Sequence, residues 1–235
     1  MKIKKILSVL LVLSLVMLTF YGCKSDSTES TTTAINDSAD TEITEAQEAT
    51  VPVSSSDFYS DEPFDEGNVE DDGEVKTGTY TNPKAYSDTS VIVNGVNISL
   101  PVSLGEFSEK TGFQVDAPEE QLQANSSTDL DAKNSNGLIG VHISNFDASP
   151  KAYNDCNITT ITAYQSDVQN VSLSCGLSLG QKANLNGIIN SLGNPTYYSY
   201  GYSAEYGSIS YNLPNGGSLS ITLKNNVVEA IAMVV

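Results

Sequence analysis

The chain has 235 residues, and its 29 Asp and Glu residues outnumber its 11 Lys and Arg residues to give a formal net charge of -18. All of these cations are lysines. Phosphate recognition needs clustered cations, so the composition argues against nucleic acid as a partner and disfavours anionic lipid headgroups.

The first 22 residues have the pattern of an export signal. Lys2, Lys4 and Lys5 form a basic start, and the 16 residues 6–21 that follow carry no charge. This run is shorter than the roughly 20 residues that a membrane-spanning helix needs. A basic start before a short apolar run is typical of a secretory signal.

Gly22-Cys23 closes the apolar run, where a conventional signal would carry a small-residue cleavage site. The pair resembles the bacterial lipoprotein signal, in which a cysteine after a small residue is lipidated and becomes the new N-terminus. The resemblance predicts that lipid on Cys23 anchors the chain to the outer face of the bacterial cell membrane, since each buried CH2 contributes about 0.8 kcal/mol. An uncleaved or conventionally cleaved signal with an incidental cysteine is the alternative.

Residues 23–80 have the composition of a disordered acidic tether. Within them, residues 24–76 hold 16 Asp and Glu against two Lys, and large apolar residues are few. Such a segment cannot bury enough apolar surface to offset the entropy of ordering, and its charges repel one another. The acidic stretch 61–74 lacks the ligand spacing of an EF-hand loop, so a solvated spacer is favoured over a calcium site.

Each half of the remaining chain contains the pattern of one short helix. Ser103 and Glu106 have the spacing of a capping box, and Gly112 is placed to end that helix in the left-handed conformation. Asn184 is the N-cap of the second helix, and Gly193 ends it before a proline.

Period-two alternation of apolar residues predicts strands around these helices. The predicted strands are 97–100, 139–144, 158–164, 170–173, 196–202, 205–213, 219–224 and 227–235. The polar stretch 116–137 predicts a long loop. Because helix and strands recur in a similar order, the sequence predicts an α+β fold of two small tandem modules, 81–166 and 167–235. Each would be a short helix packed on an antiparallel β-sheet.

The second half also resembles a known family. Gly180, Asn184 and the Leu-Gly-Asn-Pro run 192–195, followed by a strand meander, resemble the signature of SmpA/OmlA-type (BamE-like) lipoprotein modules. β-Lactamase-inhibitor proteins carry that module in tandem. The resemblance covers residues 176–235, with a weaker echo over 96–164, and Asn184 stands where the family has Ser or Thr. It implies a protein-binding or envelope-scaffold module without catalysis.

Cys156 and Cys175 flank two strands that the sequence predicts to form a hairpin. Antiparallel pairing would place the cysteines opposite each other, at a distance that permits a disulfide. Such a bridge would contribute about 3 kcal/mol, and an exported location permits it. Two free buried thiols are the alternative. A zinc site is disfavoured, because two cysteines and one histidine supply only three of four ligands.

Tyr198, Tyr200 and Tyr202 alternate along one predicted strand and point to the same side. Aromatic pairs across neighbouring strands stabilise sheets, which is one interpretation of this pattern. Tyr is also enriched at protein interfaces. If exposed, this tyrosine face would be the best candidate for binding a partner.

The sequence contains no recognised catalytic motif. His142, the only histidine, alternates with apolar neighbours, so an exposed strand residue is its favoured interpretation. The stretch 129–137 alternates oxygen-bearing residues like a calcium loop. Lys133 occupies a ligand position there, and no bidentate Glu follows, which favours a flexible loop. We therefore expect no enzyme activity, cofactor or metal.

Together these patterns predict a lipid-anchored surface protein that binds an envelope or extracellular protein. A solute- or glycan-binding lipoprotein and an envelope enzyme are the alternatives. An enclosed pocket with converging polar groups would favour either alternative, whereas an exposed sheet face would favour protein binding.

Overall fold

The computed structural model describes residues 58–116, 121–201 and 206–235. The predicted signal, Cys23 and the first part of the predicted tether lie outside the described residues. The described region is 49% strand and 11% helix, so the fold is mostly β and not the predicted balance of α and β. None of the helices in these ranges has the length and apolar character to cross a membrane.

The described part of the chain contains sixteen strands, two α-helices and a short 3-10 helix, Tyr153–Asp155. The helices are α1 (Leu104–Thr111) and α2 (Leu185–Leu192). The strands are β1 (Asn68–Asp71), β2 (Val75–Thr79), β3 (Ser90–Val93), β4 (Val96–Ser99), β5 (Val102–Ser103), β6 (Gln114–Val115), β7 (Gln121–Leu122), β8 (Ser126–Asn134), β9 (Gly137–Asn145), β10 (Lys151–Ala152), β11 (Asn157–Tyr164), β12 (Val171–Leu173), β13 (Tyr197–Gly201), β14 (Tyr206–Asn212), β15 (Ser218–Lys224) and β16 (Val227–Val234).

One large antiparallel sheet organises these elements. It has 11 strands in the order β1-β2-β13-β14-β15-β16-β11-β9-β8-β6, and β5 pairs with β11 beside this path. Two smaller sheets accompany it, a pair formed by β7 and β10 and a three-stranded sheet in the order β12-β3-β4.

The predicted pair of separate modules is wrong. β11, from the first predicted module, pairs with β16, from the second, and Thr162 lies opposite Ala232 in this pairing. The strands of both halves therefore form one sheet, and the helices pack on one shared core. The alternation within a strand shows which residues share a face, but it does not show which strand is its neighbour.

The local predictions for both helices are confirmed. The Ser103 hydroxyl accepts a hydrogen bond from the Glu106 N–H, and Gly112 ends α1 at φ 76°. The Glu106 carboxylate does not complete the capping box, because it accepts from Lys110 Nζ at 2.7 Å instead. The helix α2 begins after its cap Asn184.

The predicted loop 116–137 is wrong over much of its length. It contains β8, nine residues that pair with β9 from end to end. Only Ala132 of β8 is buried, because the strand lies near the end of the sheet, next to the short β6. A strand with so little buried surface lacks the apolar period by which strands are predicted.

The end of the predicted tether also belongs to the fold. Phe58 is 0% exposed, and β2 extends the large sheet by pairing with β13. Apolar residues placed singly between the acidic ones, such as Phe64 and Val69, pack against the core. The prediction of disorder rests on average composition, in which a few apolar residues have little weight. The segment predicted to be disordered up to residue 80 therefore contains ordered strands.

The large sheet has a buried face and an open face. Ile161, Ile221 and Ile231 point to the buried face. The open face is defined by residues that lie directly opposite one another on nine adjacent strands. These are Asn68, Thr79, Tyr197, Ser210, Ser220, Ala232, Thr162, Gly140 and Asp131.

Candidate functional site

Two of the three tyrosines predicted to form a partner-binding face point to the buried face. Tyr198 is 0% exposed and Tyr200 is 7% exposed, whereas Tyr202 lies outside the described residues. The rings of Tyr198 and Tyr200 stack at 5.9 Å between centroids. These two tyrosines therefore act in the core, as cross-strand packing predicts, and a partner cannot reach them in this conformation.

Residues 58–67, here called the strap, cover these tyrosines. The Phe64 ring meets the Tyr198 ring edge-on, with 5.3 Å between centroids. Tyr200 donates its hydroxyl hydrogen to Glu66 Oε1 at 2.6 Å, and Tyr198 donates to the Glu66 carbonyl. Burial raises the pKa of both phenols, so they remain protonated donors at neutral pH.

Asn184 fastens the strap to helix α2. Its Oδ1 accepts from Gly187 N at 2.8 Å, which caps the helix, and from Ser60 N at 3.2 Å. Its Nδ2 donates to Ser60 O at 2.9 Å. An amide carries the acceptor and the donor on separate atoms, so Asn serves both partners more readily than Ser or Thr would.

The two cysteines do not meet across a hairpin, because the predicted hairpin does not form. β11 pairs with β9, β16 and β5, whereas β12 pairs with β3. Both thiols are free. Cys156 is buried and its Sγ donates to Ala152 O at 3.3 Å, and burial raises the pKa of this thiol. Cys175 is only partly buried.

His142 lies on the open face of β9, as alternation predicts. Its Nδ1 is 2.7 Å from Asp129 Oδ1 on β8, and Thr160 lies opposite it on β11. In the described ranges no hydroxyl bonds to the other ring nitrogen, so the pair lacks the activated nucleophile of a catalytic triad. Nor do those ranges hold a group of three His, Cys, Asp or Glu residues suited to a metal ion.

The open face carries most of the well-exposed large apolar side chains of the described region. Six large apolar side chains of the described region are well exposed, and Phe146 is the one that lies beyond the sheet strands. The other five are Val75, Tyr164, Tyr197, Tyr206 and Val234. Their opposite residues on neighbouring strands (Gly201, Ala230, Ser210, Lys224 and Ser218) assign all five to the open face.

Small, uncharged residues form the centre of this face. Ser210 and Ser220 lie opposite each other with their hydroxyl oxygens 3.1 Å apart, and Ala232 and Thr162 continue the row. The charged groups near this centre form ion pairs, as Lys224 Nζ does with Glu229 Oε1 at 3.5 Å. A broad surface of small residues between exposed aromatic rings can dock a macromolecule without desolvating an unpaired charge.

This surface cannot be recognised from the sequence, because its residues come from strands far apart along the chain. Only β13 gave a local signal, in which Ser199 and Gly201 alternate with the tyrosines. The strap was missed as well, although Phe58 and Phe64 are conspicuous among acidic residues.

Comparisons with protein-family models, with curated proteins and with solved structures find no match to this chain. The resemblance to SmpA/OmlA-type lipoprotein modules therefore stays a prediction, whereas the tandem helix-on-sheet fold predicted from the recurring helix and strand pattern is wrong. Functional conclusions rest on the geometry of the open face and on the Gly22-Cys23 signal.

Proposed function

We propose that this chain is a lipid-anchored protein of the outer face of the bacterial membrane and that it binds an envelope or extracellular protein through its open face, without catalysis. One observation carries the binding role. Five of the six well-exposed large apolar side chains of the described region lie on this single face. Exposed apolar side chains that share one face, instead of being distributed over the whole surface, make that face the best candidate for an interaction site.

The composition of the face suits a protein partner. Tyrosine is enriched in interfaces because it offers a large rigid area with a polar tip, and Tyr164, Tyr197 and Tyr206 are the exposed rings. The small central residues let a partner approach the backbone closely. The net charge of -18 favours a neutral or basic surface on that partner.

Site-specific photo-crosslinking in intact cells tests the binding role. A benzophenone amino acid at Ser220, in the centre of the open face, is expected to give a discrete adduct on irradiation. The same amino acid at Glu109, exposed on α1, is the matched control and should give none. Ser220→Arg should also abolish an adduct formed from Thr222, because it places a bulky charge in the interface. Equal adducts from the face and from α1, or none from the face, would refute the role.

The lipid anchor has a separate test. Cys23→Ala is expected to move the protein from the membrane fraction to the medium, since the thiol that carries the lipid is gone. Cys175→Ala removes a different thiol and should leave the protein in the membrane fraction. Immunoblots of both fractions measure the distribution. Retention of the Cys23→Ala protein in the membrane would overturn the anchor and leave the crosslinking result unaffected.

A further inference from the structure

A polar crevice lies where the β8–β9 turn meets the loop that follows β11. Its volume is about 310 Å³, and it is lined by Ser135, Asn136 and the six residues 165–170, here called the crevice loop. Tyr164, which is 40% exposed, immediately precedes this loop. Tyr164 itself does not line the crevice.

The backbone of the crevice loop is fixed from several directions. Leu138 N donates to Asp167 O at 2.9 Å, Gln165 N donates to Glu229 O at 2.8 Å, and Asn94 N donates to Asn170 O at 2.9 Å. Val168 anchors the loop in the core and is 2% exposed. The crevice is thus formed before any ligand arrives, which lowers the entropy cost of binding.

Gly137 permits this close approach of the turn to the loop. Its φ is 136°, and a Cβ atom there would lie 2.0 Å from Asp167 O. Any other residue would both strain the backbone and push the crevice loop away.

Four of the polar side chains that line the crevice are exposed amides. The amide groups of Asn136, Gln165, Gln169 and Asn170 form no side-chain hydrogen bond within the described part of the chain. Ser166 donates to Asp167 Oδ1 at 2.9 Å. Four amides thus offer both donors and acceptors to a ligand at one place.

The lining chemistry narrows the class of ligand. The lining contains no Lys, Arg or His, which disfavours anions, and Asp167 is its single carboxylate, which is too few for a hard cation. Seven of the eight lining residues are polar, which disfavours an apolar molecule. A neutral molecule rich in hydroxyl groups remains.

We propose that this crevice binds a neutral saccharide. Sugar hydroxyls donate and accept hydrogen bonds, as the crevice amides do. Binding would add an affinity for glycans to the role of the open face, and it does not depend on that role. Because the crevice is open to solvent, it suits the end or side of an oligosaccharide.

Titration of the full-length protein in detergent micelles with three trisaccharides tests this site. The probes are cellotriose, maltotriose and the trimer of N-acetylglucosamine, and binding is measured by calorimetry and by saturation-transfer NMR. At least one probe is expected to bind. Gln169→Ala and Asn136→Ala should each weaken that binding about tenfold, the effect of losing one good contact.

Two matched variants control for changes outside the crevice. Gln123→Ala alters an exposed glutamine elsewhere, and Tyr206→Ala alters an exposed tyrosine of the open face. Both should bind the saccharide like the parent protein. Absence of binding by all three probes, equal losses in the control variants, or binding of calcium chloride or sodium sulfate in their place would overturn the proposal. Crosslinking from Ser220 would remain unaffected by any of these results.

Discussion

Replacing Tyr198 by alanine is expected to lower the free energy of unfolding by about 3–5 kcal/mol, the usual cost of deleting a large buried aromatic ring. The ring is 0% exposed and packs against Phe64 and Tyr80. Gly78, opposite it on the next strand, leaves the room that the ring fills, since a Cβ there would lie 2.1 Å from the Tyr198 ring. Urea denaturation followed by circular dichroism measures the change.

Tyr197→Ala is the matched control for this experiment. Tyr197 is the preceding residue of β13, points to the open face and is 39% exposed. Its replacement should change the free energy of unfolding by no more than about 0.5 kcal/mol. Equal destabilisation of the two variants, or a less stable Tyr197→Ala variant, would contradict the assignment of Tyr198 to the buried face and of Tyr197 to the open face.

The contrast between these two residues shows what the sequence of β13 could and could not predict. Alternation correctly separates Tyr198 and Tyr200 from Ser199 and Gly201. It does not say which set is buried, because that depends on the strap, which arrives from more than 130 residues away. The sequence therefore predicted the strand and left the choice of its buried face open.

The same limit applies to the large sheet. Caps and apolar stripes are local, so α1 and α2 could be placed to within a residue or two. The pairing of β11 with β16 brings Thr162 next to Ala232, and nothing in either strand specifies the other as its neighbour. The open face exists only because these strands pair. It could therefore not be predicted from the sequence either.

The crevice was hidden by a different cause. Its polar residues resemble those of any surface loop, and the sequence of the stretch 129–137 predicts only a flexible loop. What distinguishes the crevice loop is that its backbone bonds to β9, β16 and the β3–β4 turn, three elements from separate parts of the chain. Hydrogen bonds between segments so far apart along the chain cannot be predicted from the order of the residues.

The strap supplies the second large expected effect. Phe58→Ala should lower the free energy of unfolding by about 3–5 kcal/mol, because the ring is 0% exposed in the shared core. The Asn184 N–H donates to Phe58 O at 3.1 Å. Because loss of the Phe58 ring should loosen this contact, hydrogen exchange at the Asn184 amide should also become faster. Urea denaturation and amide exchange measured by NMR report the two effects.

Gly187 provides a double-mutant cycle for the same contact. A helix interior ordinarily gains up to about 1 kcal/mol when Gly becomes Ala. Here the new Cβ would lie 2.2 Å from the backbone of Phe58, so Gly187→Ala should instead destabilise the protein by about 1–3 kcal/mol through overpacking. In the Phe58→Ala background the loosened strap can move aside, so the combined loss should fall short of the sum by at least about 0.5 kcal/mol. Strict additivity, or stabilisation by Gly187→Ala alone, would show that the strap does not pack on α2.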